Sequence, residues 1–257
     1  MQQQEQILCA ILDAGELLLT AGAEVARVED TIRRMAKAYG FVRADVLTIT
    51  ASMVVTAQTE KGEVLTQTRR ILRRETNMQR IEAVNALSRD VCTQPMQLEQ
   101  FYVRLDAVRN IDDGPRWRKP LAYLIIAGAF TVFFGGTWRD AIAAMLCSMV
   151  LYLVGRMGTR IDLQPLVLTM ISAAVMCFAV VVTVWIGLGQ KLDYIIIGNI
   201  MLLIPGIALV TSLRDMIVGD TISGLLGALE ALIRALAIAA GCAIVLMQLG
   251  GLVLLLK

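Results

Sequence analysis

Several polar side chains fall within or beside apolar runs long enough to cross a bilayer: Asn199, Asp215, Asp220, Glu230 and Arg234. Pro205-Gly206 interrupts the run that begins at Tyr194 and resumes through Ile207 to Leu213. Pro205 has no N–H to give the carbonyl of Met201, and Gly206 adds no side chain to cover it. In hydrocarbon that carbonyl needs another partner, so broken helices occur where protein or a water-filled cavity surrounds them. Many transporters build their substrate site in this way. At about 1.5 Å per residue, Pro205 lies roughly 16 Å from the outer end of its run, and Glu230 about 15 Å from Asp220. In a hydrocarbon core of about 30 Å both reach the midplane. An ionisable residue at that depth is costly and marks a functional candidate. Glu230 could take up a proton from one side and release it to the other. The competing readings are structural. Glu230 and Arg234, one turn apart with Glu first, could simply neutralise each other, and Asp220 could cap the helix that follows it.

The composition fits a membrane setting. The chain of 257 residues is 57% apolar, with a mean hydropathy of +0.66. Residues 1–115 hold 14 Lys/Arg and 16 Asp/Glu, leaving 10 and 6 for residues 116–257, so a charged first part precedes an apolar second part. A net charge of +2, with no basic run or aromatic ladder, implies no nucleic-acid partner. The absence of histidine excludes Ser-His-Asp and Cys-His nucleophiles and His-ligated metals. Cys9, Cys92, Cys147, Cys177 and Cys242 have no CxxC spacing and read as buried thiols in a reducing setting. No Walker motif is present, so no ATP consumption is expected, and no cofactor or metal is implied. The N-terminus lacks the basic flank and apolar core of a signal peptide, which predicts a first part left in the cytosol.

Residues 1–115 read as a small α+β domain. Ile7, Leu8, Ile11, Leu12, Leu18 and Leu19 recur at helical spacing up to Gly22. A second helix carries Val25, Val28, Ile32, Met35 and Tyr39 and stops at Gly40. Its polar faces hold Glu24, Arg27, Glu29 and Asp30, which are either functional or engaged in pairs such as Glu29–Arg33. Alternation over Val46 to Gln58 predicts one strand with Leu47, Ile49, Ala51, Met53 and Val55 on its buried face. Glu60-Lys61-Gly62 would turn it into a second strand, Val64 to Thr68. Thr76-Asn77-Met78-Gln79 fits a capping box opening a helix to about Val91, and Pro95 starts another with Leu98, Phe101, Tyr102, Leu105 and Val108. Asp112-Asp113-Gly114-Pro115 is a linker.

Residues 116–257 predict five spans: Pro120 to Phe134, Asp140 to Gly155, Pro165 to Gly187, Tyr194 to Leu213, and Ile222 to Met247. Arg116, Arg118, Lys119, Arg156, Arg160 and Arg214 fall on one side, against Arg139, Lys191 and Lys257 on the other. That bias places the N-terminal domain in the cytoplasm and the C-terminus outside. Gly227, Ala231, Ala235, Ala239 and Ala243 form an expected close-packing stripe on the last span.

The segments Gly15-Glu16, Gly22-Ala23-Glu24, Arg27-Val28-Glu29-Asp30, Arg73, Asn77-Met78 and Asn85-Ala86-Leu87-Ser88-Arg89 resemble the threonine/serine exporter family. So do Leu203-Ile204-Pro205-Gly206, Arg214-Asp215, Gly219-Asp220 and Leu229-Glu230-Ala231. The resemblance covers nearly the whole chain. It implies a cytosolic domain followed by one membrane half, with a second half either fused or supplied by a small multi-span membrane protein. A related split pair is linked to succinate export. The chain therefore looks like the larger subunit of a split inner-membrane exporter, not an enzyme. The implied substrate is a small polar or anionic metabolite, and protons are the expected driving ion. The implied partners are the second membrane subunit and further copies of the chain. The alternative is a membrane-tethered sensor or scaffold, against which the polar groups at depth argue. A membrane hydrolase finds no nucleophile elbow or paired-carboxylate motif to support it.

Overall fold

The computed structural model describes residues 2–72, 74–111 and 114–249. Arg73, Asp112, Asp113 and Lys257 lie outside the described residues. In chain order the elements are α1 (Gln2–Thr20), α2 (Val25–Ala38), β1 (Phe41–Ile49), β2 (Ser52–Thr59), β3 (Val64–Arg70), α3 (Met78–Thr93) and α4 (Leu98–Arg109). Then come α5 (Arg118–Phe133), α6 (Trp138–Arg160), α7 (Pro165–Trp185), α8 (Leu192–Ile200), α9 (Gly206–Val218) and α10 (Thr221–Gln248). They divide into two compact units. The first is residues 1–112 with 206–229, and the second is 113–205 with 230–257.

In the first unit, Leu8, Ile11, Leu12, Leu18 and Leu19 of α1 are fully buried with Val25, Val28, Ile32 and Met35 of α2. Met53, Val55 and Ala57 of β2 and Phe101 and Leu105 of α4 complete that core. Each such large side chain contributes about 1.5–3 kcal/mol by leaving water. α1 and α2 approach closely at Gly15, where an added Cβ would stand 2.6 Å from Ile32 Cδ1.

The sheet corrects the strand reading. It has three antiparallel strands in the order β1-β2-β3, because the chain turns back at Thr50-Ala51. Val46 pairs with Val55 and Thr48 with Met53, so facing residues have opposite parity and the buried set switches from even to odd numbers across the turn. Leu47 is accordingly 68% exposed while Thr48 is buried. A two-residue loop without Gly, Asn or Asp carries none of the usual hairpin signals, and unbroken alternation hid it. The cap of α3 also moves by one residue. Asn77, not Thr76, is the N-cap, its side chain accepting from Arg80 N at 3.0 Å.

In the second unit, small and medium side chains form the core: Ala127, Ala143, Ala144, Cys147, Ala173, Cys177 and Cys242, with Met176, Val180, Ile195 and Ile238. Small residues let helices approach closely where apolar burial against lipid gives little drive. Large apolar side chains such as Phe133, Trp138, Leu153, Phe178 and Leu236 point outward, as in a protein whose surroundings are themselves apolar. Among the described residues, α6, α7 and α10 are long and apolar enough to cross a membrane. α5 has 16 residues, and the expected fourth span is divided into α8 of 9 and α9 of 13. Residues 201–205 form the break between them.

The stripe on α10 also differs from expectation. Ser223, Gly224, Gly227 and Ala231 are buried, but Ala235, Ala239 and Ala243 are exposed, and the buried side continues through Ile238 and Cys242. With about 3.6 residues per turn, each i,i+4 step drifts about 40° around the axis. Four such steps carry Ala243 to the opposite face.

Candidate functional site

Two sequence motifs 190 residues apart meet in the first unit. α1 is followed by a turn at Gly22, whose φ is +85°, and an added Cβ there would stand 3.2 Å from the Glu75 carbonyl. Glu24 then adopts an extended backbone as the N-cap of α2 but makes no cap bond of its own. The role passes to Asp215 in the last part of α9. Its Oδ1 accepts the N–H of Val25 at 3.3 Å, and the residue is 5% exposed. A carboxylate at the first N–H of a helix meets both an unsatisfied donor and the positive end of the dipole. Beside it, Arg214 Nη1 lies 2.7 Å from Glu24 Oε1.

The loop after α9 is shaped for this junction. Gly219 has φ +112°, and Asp220 N–H returns to the Asp215 carbonyl at 2.9 Å. The Asp220 carbonyl accepts the Gly224 N–H, so Asp220 stands at the N-cap position of α10. One turn on, Ser223 Oγ donates to the Thr48 carbonyl at 3.4 Å. The Thr48 N–H donates to Glu29 Oε1 at 2.9 Å, and Glu29 also pairs with Arg33. Arg33 reaches the Val46 carbonyl at 3.5 Å. The outer edge of β1 is thus covered by side chains at Val46 and Thr48, which blunts it as a pairing template for other chains.

Of the four polar candidates on or beside α2, Glu24 and Glu29 join this network. Asp30 pairs with Arg34 at 2.9 Å in solvent, and Arg27 is exposed. The network's further members are the Thr48 backbone and the Ser223 hydroxyl, which no sequence pattern distinguishes.

Asp215 lies beyond Leu213, in the first unit. Burial raises its pKa above the ordinary carboxyl value, and the nearby charges of Asp220 and Glu24 add to the rise. The Val25 N–H and the Arg74 charge oppose it. A carboxyl with a raised folded-state pKa favours folding fully below its unfolded value, and that contribution is lost as pH rises through the folded value. Asp215→Asn should therefore flatten the fall of stability with pH just above the ordinary carboxyl range. Denaturant midpoints of both proteins across that range check this, and parallel curves would contradict it.

In the second unit, Asn199 of α8 is completely buried just before the break. Its Nδ2 donates to the Ile195 carbonyl at 2.9 Å, while Oδ1 has no hydrogen-bond partner among the described residues. α8 lies hard against α5 here, since an added Cβ on Gly198 would collide with Thr131 and stand 2.8 Å from the Ala127 carbonyl. Pro205 is half-buried and Gly206 exposed at the start of α9. On α10, Glu230 is exposed and Arg234 half-buried, and no ion pair joins them among the described residues.

One site residue escaped the sequence reading. Asp140, fully buried, was only the start of a span. Its Oδ2 accepts from Thr137 N at 2.8 Å and Thr137 Oγ1 at 2.7 Å, while Thr137 Oγ1 caps Asp140 N. Its Oδ1 accepts from Gln190 N at 2.6 Å and Lys191 N at 2.9 Å, tying the start of α6 to the start of α8. The Thr137-x-x-Asp140 spacing was a legible capping signal. No group of three or more metal-ligating side chains occurs among the described residues.

The ThrE model, which describes threonine/serine exporters, matches residues 10–249. A relative in Mycobacterium tuberculosis, named "Probable threonine/serine exporter", is 25% identical over 86% of this chain and 42% of its own length. The "Threonine/serine exporter" of Corynebacterium glutamicum is 23% identical over 81% and 44%. The "Probable succinate transporter subunit YjjP" of Escherichia coli is 23% identical over 87% of each chain. The chain thus spans less than half the length of the two exporters it matches. No solved structure matches it.

Proposed function

The chain belongs to the threonine/serine exporter family, and from that premise we propose that it is one subunit of a proton-driven inner-membrane exporter. Its cargo is a small polar metabolite, either a threonine/serine-like amino acid or a dicarboxylate such as succinate. Residues 1–115 form the cytoplasmic domain, and five crossings follow, the fourth running from Tyr194 to Leu213 through α8 and the first part of α9. A small multi-span membrane protein supplies the other half of the path.

The observation that carries this reading is Glu230. It is exposed, about ten residues into a 28-residue apolar helix, and has no hydrogen-bond or ion-pair partner among the described residues. A carboxylate facing acyl chains at that depth is costly. It is accommodated if that face meets a second subunit or a water-filled path. Asn199 supports the same reading, because a buried amide oxygen without a partner among the described residues, beside a helix break, is an acceptor held ready for a passing donor. A mere membrane anchor has use for neither group.

Efflux from vesicles tests the proposal. The chain with its partner should export preloaded threonine, serine or succinate down an imposed pH gradient, and the chain alone should not. Full transport by the single purified chain would remove the partner. Reporter fusions after Gly114 and Gly158 should read cytoplasmic and one after Gly189 external; the reverse pattern would overturn the five-crossing topology.

A further inference from the structure

The division into compact units cuts the chain at unexpected places. α9 and the first turns of α10, which belong to the apolar second part by sequence, group with the N-terminal residues. The chain enters this segment at Pro205-Gly206, where the helix is already broken.

The segment is also inverted in polarity. α9 buries Ser212 and Asp215, while Val210, Leu213, Ile217 and Val218 are exposed. A helix of a water-soluble domain buries its apolar stripe. Here the polar stripe is the adhesive one. Asp215 on that stripe accepts the Val25 N–H at the start of α2, and the exposed Arg214 beside it pairs with Glu24. Ser223 on the Thr48 carbonyl adds a third, from the next helix to the sheet edge. The α9–α10 junction is itself tight, since an added Cβ on Gly224 would stand 2.5 Å from the Ser212 carbonyl.

We propose that α9 and the first turns of α10 are clamped to the N-terminal domain through Asp215, Arg214 and Ser223, and move with it as one body during transport. The proposal rests on the exporter reading for its transport consequence, but the clamp is measurable without transport. Displacement of the N-terminal domain would then be delivered to the Pro205-Gly206 break, because α9 starts there and is fixed at its other end. The domain becomes a working part of the exporter, and the break is the place where its motion is absorbed.

Hydrogen exchange of the full chain with its partner in lipid nanodiscs tests the clamp. Asp215→Ala removes the cap and should speed exchange at Val25 and the next two amides about tenfold, the usual scale of a lost N-cap. Asp215→Asn, which keeps an acceptor oxygen, should stay within about threefold of wild type on the same scale. Unchanged exchange in Asp215→Ala would overturn the clamp.

The one-body claim is read from Glu24→Cys/Arg214→Cys on a Cys92→Ser background, joined by a short bismaleimide. Cross-linked protein should export at the rate of the same protein before cross-linking. Loss of flux on cross-linking would show that the contact opens in each cycle and would overturn the claim. If no substrate moves even in unmodified protein, the exporter reading fails, and hydrogen exchange still decides the clamp. In that case, exchange protection of α2 and α9 lost together in Asp215→Ala supports one body, and loss confined to α2 overturns it.

Discussion

Glu230→Gln should abolish the coupling of export to the pH gradient while leaving the protein folded and inserted. The substitution keeps size and hydrogen bonding but cannot titrate. Glu230 is exposed and makes no ion pair with Arg234, so no polar contact among the described residues is lost and stability should change by less than about 0.5 kcal/mol. With the proton-carrying group removed no coupled path is left, so gradient-driven efflux should fall at least about a hundredfold, the lower end of the usual scale for losing an acid–base group. Substrate exchange without net proton movement should persist. The measurement is efflux with and without an imposed gradient, at matched membrane abundance. If the variant still couples export to the gradient, the coupling group lies elsewhere, and Asp215 and Asp220 are the next to replace.

Asp140→Ala should prevent stable folding of the second unit. The carboxylate serves four donors from two parts of the chain: Thr137 N and Oγ1 on one oxygen, Gln190 N and Lys191 N on the other. Removing the acceptor costs about 1–3 kcal/mol for each donor left without a partner. The total reaches the marginal stability of a whole domain, about 5–15 kcal/mol. Low membrane abundance and a lowered unfolding temperature in detergent are the expected results. Asp140→Asn retains one acceptor oxygen and should lie between. Wild-type thermal stability in Asp140→Ala would show that the α6–α8 tie is held by apolar packing instead.

Much of the organisation is local and was therefore legible in the sequence. Apolar periodicity in α1, α2 and α4 placed the core of the first unit, because a helix stripe is decided by spacing alone. Gly22 and Gly40 marked helix ends, since only glycine takes a positive φ there without strain. Pro205-Gly206 marked the break for the same kind of reason, a missing donor. Where local rules were degenerate, the reading failed. Alternation continued through Thr50-Ala51 without a turn residue, so only the β1–β2 pairing could show that Thr48 and not Leu47 faces inward. The drift of α10 past a four-residue repeat separated Ala231 from Ala235 in the same way.

What only the tertiary structure decided is which distant groups share an environment. Asp215 and Val25 are 190 positions apart, and nothing in either segment says that one caps the helix of the other. Asp140 reads as a helix start until the Gln190 and Lys191 amides arrive at its second oxygen. A side chain's type is written in the sequence and limits what it can donate or accept. Which donor it meets depends on long-range packing, because hydrogen bonds act over about 3 Å and have no counterpart in sequence separation.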